Sequence, residues 1–216
     1  MSTDPPEAPK DCPLYPRLVA FREANAREEP TWFNGAAPSF GDPNARLLIV
    51  GLAPGRMGAN RTGRPFTGDY AGVLLYGTLK KYGFGEGEYG ADPNDGFRLV
   101  DAMITNAVRC APPENKPTPA EIATCRQFLT ARMSALPRAR VIVALGSIAH
   151  ESVLRAYALK PTAAKFAHAA EAALPDGRTL LSSYHCSRYN TQTGRLTTQM
   201  FENVIARART LVDQVR

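Results

Sequence analysis

The chain has 216 residues, 44% of them apolar and 21% charged, which excludes collagen-like, coiled-coil and wholly disordered architectures and leaves room for one domain or two small ones. Lys and Arg outnumber Asp and Glu by 26 to 20, a net charge of +6 that favours an anionic partner such as nucleic acid. The longest apolar runs, residues 47–50 and 141–145, fall far short of the roughly 20 residues that a membrane-crossing helix needs.

Residues 1 to about 10 hold Pro5, Pro6 and Pro9 with Asp4 and Glu7, which reads as a flexible tail and lacks the basic start and apolar stretch of a secretory leader. A cytoplasmic protein is therefore expected, with 11–216 forming a single domain. A helix is expected from Pro16 to about Ala26. Arg46–Gly51 is a short, continuously apolar run ending in glycine, the pattern of a strand buried on both faces. Ala71–Tyr82 has helical periodicity and is stopped by Gly83. Ala102–Val108 predicts a second strand. Thr118-Pro119 opens a helix to about Ser134, with proline at the first position and Glu121 in the first turn. Arg140–Gly146 predicts a third strand, and Ser147 caps a helix through Tyr157. Thr179–Ser183 predicts the fourth strand, and a last helix runs from about Leu196 to Val215. Four strand–helix alternations imply a parallel sheet with helices on both faces, because parallel strands need crossovers. The expected class is α/β.

In such sheets the ligand sits beyond the carboxyl ends of the strands. That rule selects the 51–69 loop, the 106–117 segment, Gly146-Ser147 and the 184–195 loop. Residues 51–68 carry Arg56, Arg61 and Arg64 with no acid, and 184–200 carry Arg188 and Arg195 with no acid, so the two stretches read as two sides of one anion-binding groove. The first loop lacks the Gly-Lys-Ser/Thr ending of a P-loop and the glycine spacing of a dinucleotide fingerprint, so nucleoside triphosphates and NAD fit poorly. Asp69, the only acid in the 51–69 loop, stands among cationic residues as a chemical group or as a helix cap. His185 follows a strand directly and precedes a loop of donors, although a lone histidine is more often a packed or surface residue. Asn106 brings an amide to the same floor, or simply ends a strand. The four cysteines, Cys12, Cys110, Cys125 and Cys186, show none of the common zinc spacings, and disulfides are not expected in a cytosolic chain.

Four stretches together resemble a known family: Gly51–Asp69, with Gly-Leu-Ala-Pro, Asn-Arg-Thr-Gly-Arg and Phe-Thr-Gly-Asp in order; Thr-Asn-Ala-Val-Arg-Cys-Ala-Pro-Pro at 105–113; Phe166-Ala167-His168; and His185–Leu196. They are similar to motifs of the uracil-DNA glycosylase superfamily, most closely its type-5 branch, from about Cys12 to the last helix. The resemblance implies a three-layer sandwich with a four-stranded parallel sheet, and a monomer that excises deaminated bases from DNA, binding DNA that contains uracil or an abasic site. It assigns Asp69 to the cation that develops on the sugar and to the attacking water, His185 to uracil O2, and Asn106 to the base or the water. Phe66 becomes the platform for the flipped base, with backbone amides near Leu52 and Ala53 lining the pocket. Arg188 and Tyr189 become candidates for the wedge and phosphate clamp. Arg61, Arg64, Ser147, Ser187 and Arg195 complete the expected DNA contacts.

Two departures stand out. His185-Cys186-Ser187 replaces the His-Pro-Ser common in the branch, which frees that loop from a proline constraint. The branch also commonly holds a [4Fe-4S] cluster through a Cys-x2-Cys pair and two later cysteines, whereas this chain reads Cys12-Pro-Leu-Tyr15. Cys12, Cys110 and Cys125 remain as ligands, with Tyr15, Asp11 or water as the fourth, or else as small buried hydrophobes. Cys186 belongs to the opposite loop. Competing readings are a catalytically weak reader of damaged or abasic DNA and an iron–sulfur redox protein of doubly wound fold.

Overall fold

The computed structural model describes residues 6–214. In chain order its elements are α1 (Pro16–Glu28), β1 (Phe40–Gly41), β2 (Leu47–Gly51), α2 (Ala59–Thr62), α3 (Tyr70–Lys81), β3 (Gly85–Glu86), β4 (Arg98–Leu99), β5 (Ala102–Asn106), α4 (Pro119–Ser134), β6 (Val141–Leu145), α5 (Ser147–Ala156), β7 (Glu171–Ala173), β8 (Thr179–Ser183), α6 (Arg188–Gln192) and α7 (Thr198–Asp213).

The four apolar runs form the middle of one sheet, ordered β1-β5-β2-β6-β8-β7. β5, β2, β6 and β8 are mutually parallel, and alternate side chains point to opposite faces. Ile49, Ile104, Val143 and Leu181 pack on one face with Leu75 and Leu79 of α3 and Phe201 and Val204 of α7. Leu48, Val50, Met103, Ile142 and Leu180 face the other way, toward Leu129 of α4 and Val153 of α5. This is the expected three-layer sandwich, with six strands rather than four. The added strands, β1 and β7, are antiparallel edges of two and three residues, too short to show periodicity. Among the described residues no helix is long and apolar enough to cross a membrane.

Local chemistry sets the helix ends. Thr118 and Glu121 form a complete capping box at α4, with Pro119 in the first turn. Glu121 also accepts both oxygens' worth of contact from Arg17 at 2.7 and 2.8 Å, which ties α4 to α1. Ser147, expected as the cap of α5, is instead its first helical residue. The cap is Gly146 at φ 97°, a left-handed conformation open to glycine. The expected loop after β8 contains a short helix, α6, capped by Ser187.

The flexible tail expected over residues 1–10 is corrected for its second half. Arg109 donates to Pro6 O at 3.0 Å and to Glu7 Oε2 at 2.8 Å, Ser39 N–H donates to Glu7 at 2.9 Å, and Ala8 is buried. Arg132 closes on the other Glu7 oxygen. Residues 1–5 lie outside the described residues, as does the end of the helix expected to reach Val215.

Candidate active site

β2 and β5 end side by side, with Gly51 opposite Asn106 in the sheet register. Glycine is required there: a Cβ on Gly51 would lie 2.4 Å from Asn106 Oδ1 and 2.7 Å from Phe66 Cζ. Asn106 is buried, and its Oδ1 has no hydrogen-bond partner among the described residues. An orphaned buried carbonyl oxygen is costly, and it faces a cleft of about 660 Å³ lined by Leu52, Ala53, Phe66, Asp69, Asn106, His185, Ser187 and Arg188.

The loop after β2 is held from behind. Phe66 has φ 53°, a conformation L side chains rarely adopt, so its surroundings must impose it. Tyr89 donates to Phe66 O at 3.0 Å and Tyr76 to Pro65 O at 2.6 Å. Arg64 donates to Thr67 Oγ1 and reaches both Asp95 oxygens at 2.8 and 2.7 Å, its guanidinium lying over the rings of Phe40, Tyr76 and Tyr89. Arg64 is only 4% exposed and so is corrected from an expected DNA contact to an internal clasp. Its partner Asp95, held well below the usual carboxylate range mainly by that guanidinium, lies outside the acid-free stretch.

Asp69 both caps α3, accepting from Gly72 N–H at 3.3 Å, and lines the cleft. Burial raises its pKa above the ordinary carboxylate value. Although Asp69 was expected among cations, none of the described cations pairs with it. Arg61 donates instead to Met57 O and Gly68 O. A Cβ on Gly58 would lie 2.4 Å from Asp69 Oδ2, so the backbone there passes close beside the carboxylate.

Across the cleft, the His185 ring stacks against Phe66 with centroids 5.8 Å apart and planes 28° apart. Burial pushes its pKa down to about 4, so it is neutral at physiological pH. Asn190 holds the His185 carbonyl at 2.8 Å. Cys186 is fully buried in the core behind it, its thiol pushed up to about 12 by burial.

One site thus contains a carboxylate and an amide oxygen that, among the described residues, lack a cationic partner and a hydrogen-bond partner respectively, together with a neutral imidazole and an aromatic plate. The sequence profile of the uracil DNA glycosylase superfamily matches residues 38–209. The chain belongs to this superfamily. A type-5 uracil-DNA glycosylase from Thermus thermophilus is 50% identical over 206 residues, covering 93% of both chains. Proteins of the same description from Mycobacterium bovis and Pyrobaculum aerophilum are 41% and 39% identical, over 93% and 92% of this chain and 78% and 88% of theirs.

The other expected glycosylase contacts are distributed around the mouth. Arg188 lines the cleft with its guanidinium 5.4 Å from the Tyr70 ring centre, and Tyr189 beside it is 72% exposed. Arg195 lies over Tyr184, and Ser147 is exposed outside the cleft lining. Sequence reasoning missed Met57, Tyr70 and Asn115, all at the cleft. Met57 and Tyr70 are exposed apolar side chains, and Asn115 follows Glu114 in a pair of left-handed residues, φ 56° and 55°.

Cys12, Cys110 and Cys125 share one buried apolar nest with Leu18, Val108 and Phe128, against which Tyr15 packs. No three His, Cys, Asp or Glu side chains among the described residues converge on a single metal ion. The nest does suit a larger anionic group: buried Arg22 donates to Cys12 O at 3.0 Å and toward Cys110 Sγ at 3.9 Å, and pairs with no carboxylate among the described residues. A buried cation with no counter-ion among the described residues is a setting that would favour a bound anion.

Proposed function

We propose that the cleft hydrolyses the bond between uracil N1 and deoxyribose C1′ in DNA, releasing uracil and leaving an abasic site. The observation that carries this reading is the Asn106 carbonyl oxygen, buried beside Phe66 without a partner among the described residues. Uracil presents an N3–H donor between two carbonyl oxygens. Asn106 Oδ1 accepts from that N–H while its amide donates to a neighbouring carbonyl. Cytosine presents an acceptor at N3 and leaves Oδ1 unpaired, which is the stronger form of discrimination.

The target bond lies inside the duplex, so the nucleotide must first be turned out. Phe66 then stacks on the base, a contact worth about 1–3 kcal/mol. Cleavage sends the bonding electrons to uracil and leaves positive charge on the sugar. Asp69, with no cationic partner among the described residues, stabilises that charge and orients water; the water oxygen bonds to C1′ and its proton passes to the carboxylate. His185 donates its ring N–H to uracil O2, acting as a neutral hydrogen-bond donor. The acting unit in this reading is a monomer. Cys12, Cys110 and Cys125 would hold a [4Fe-4S] cluster whose contribution is structural, tying α1 to the segment behind Asn106.

The test is an oligonucleotide with one uracil, incubated with the protein and then treated with alkali. Cutting at uracil, and none at cytosine in a matched strand, is expected. Tight binding of abasic DNA without cutting of the uracil strand would instead make the chain a reader of damage.

A further inference from the structure

We propose that the Tyr15 phenolate oxygen is the fourth ligand of the cluster held by Cys12, Cys110 and Cys125, with Arg22 as the buried cation that offsets its charge. The proposal rests on the reading of the cysteine nest given above and concerns Tyr15 and Arg22 of this chain.

Tyr15 stands three residues after Cys12, immediately before α1, where Pro16 occupies the first helical position. The side chain caps no backbone N–H of that helix. Its ring is half-buried against the nest, and among the described residues its hydroxyl makes no hydrogen bond. Ligation would therefore cost this oxygen no bond to another described side chain or backbone group. Asp11, the other nearby anionic side chain, is exposed and stands outside the nest.

Leu18 and Arg22, four residues apart, share one buried face of α1, and Tyr15 packs against the nest from the extended residue just before that helix. From that face Arg22 reaches Cys12 O and Cys110 Sγ. On binding, three thiols and one phenol each lose a proton. A four-iron core of charge 2+ held by four singly negative ligands is a net dianion, which Arg22 partly neutralises. Phenolate is an established protein ligand of iron, as in haem proteins that use tyrosine.

The experiment reconstitutes the full chain anaerobically with ferrous iron and sulfide, and reads iron content, electron paramagnetic resonance and resonance Raman spectra. Wild type is expected to hold four irons per chain and to show tyrosinate vibrations enhanced through the visible chromophore. Tyr15→Phe removes one oxygen atom and should lose one iron, giving the paramagnetic signal of a three-iron cluster and no tyrosinate vibrations. Tyr15→Cys should restore four irons without those vibrations. Arg22→Gln should keep the irons but lower the reduction potential, since removing a positive charge disfavours adding an electron. Tyr15→Phe with four irons and wild-type spectra would overturn ligation by Tyr15 while leaving the cluster in place, and iron in Tyr15→Cys but not in wild type would do so by showing that Tyr15 ended the cluster. No iron in any variant, each folded by circular dichroism, would overturn the cluster itself.

Discussion

Asp69 does two things with one side chain. Its carboxylate caps α3 and, having no cationic partner among the described residues, presents an unneutralised charge to the cleft, which the proposed mechanism sets against the sugar cation. Burial raises its pKa, so the active carboxylate is lost as pH falls through a value above the ordinary 3.8. His185, pushed down to about 4, is neutral before and after pH crosses the ordinary imidazole value of 6.5. Single-turnover excision should therefore show an acid limb displaced upward from 3.8 and no decline as pH rises through 6.5. A decline there would mean that an imidazolium does the donating. Asn106 and His185 were legible because each ends or closely follows an apolar strand, where parallel sheets place ligands, and Asp69 because it is the only acid in the loop after β2. Asn115 was not legible, because nothing in Pro-Pro-Glu-Asn announces two successive left-handed residues. Arg64 was misread because charge patterning along 51–68 cannot see Asp95 folding back onto it.

At the scale of the element, the 51–69 loop owes its shape to the aromatic box behind it. Arg64 and Asp95 are 4% and 5% exposed, and removing one member of such a pair leaves a buried charge uncompensated. Asp95→Asn should lower the unfolding free energy by about 3–5 kcal/mol, measured by denaturant titration. Tyr89→Phe deletes only the hydrogen bond to Phe66 O and should cost about 0.5–1.5 kcal/mol. With Phe66 less firmly held, Tyr89→Phe should slow excision more than it weakens DNA binding; a proportional loss of both would remove the box from any role in positioning. The four long strands were legible from continuous apolar runs. β1 and β7 were not, since two or three residues carry no period, and the cap of α5 shifted to Gly146 because only the backbone conformation identifies it.

For the molecule as a whole, the groove expected from two acid-free stretches survives with a changed membership. Arg188 stays at the cleft mouth beside the exposed Tyr70 and Tyr189, while Arg64 turns inward. If Arg188 neutralises a phosphate, Arg188→Ala should reduce the slope of log affinity against log salt by about one unit; an unchanged slope would place it off the backbone. The basic excess explains attraction to DNA in general, whereas the choice of uracil depends on a cleft that charge counting does not describe. The account turns on the claim that this cleft breaks a glycosidic bond through Asp69. Its most direct test is the single-turnover rate of uracil release by Asp69→Asn, alongside the affinity of the same variant for uracil-containing DNA. The account predicts a fall of at least about two orders of magnitude in rate with affinity within about threefold of wild type, because the interaction forms only as charge develops. A rate within about threefold of wild type would contradict it.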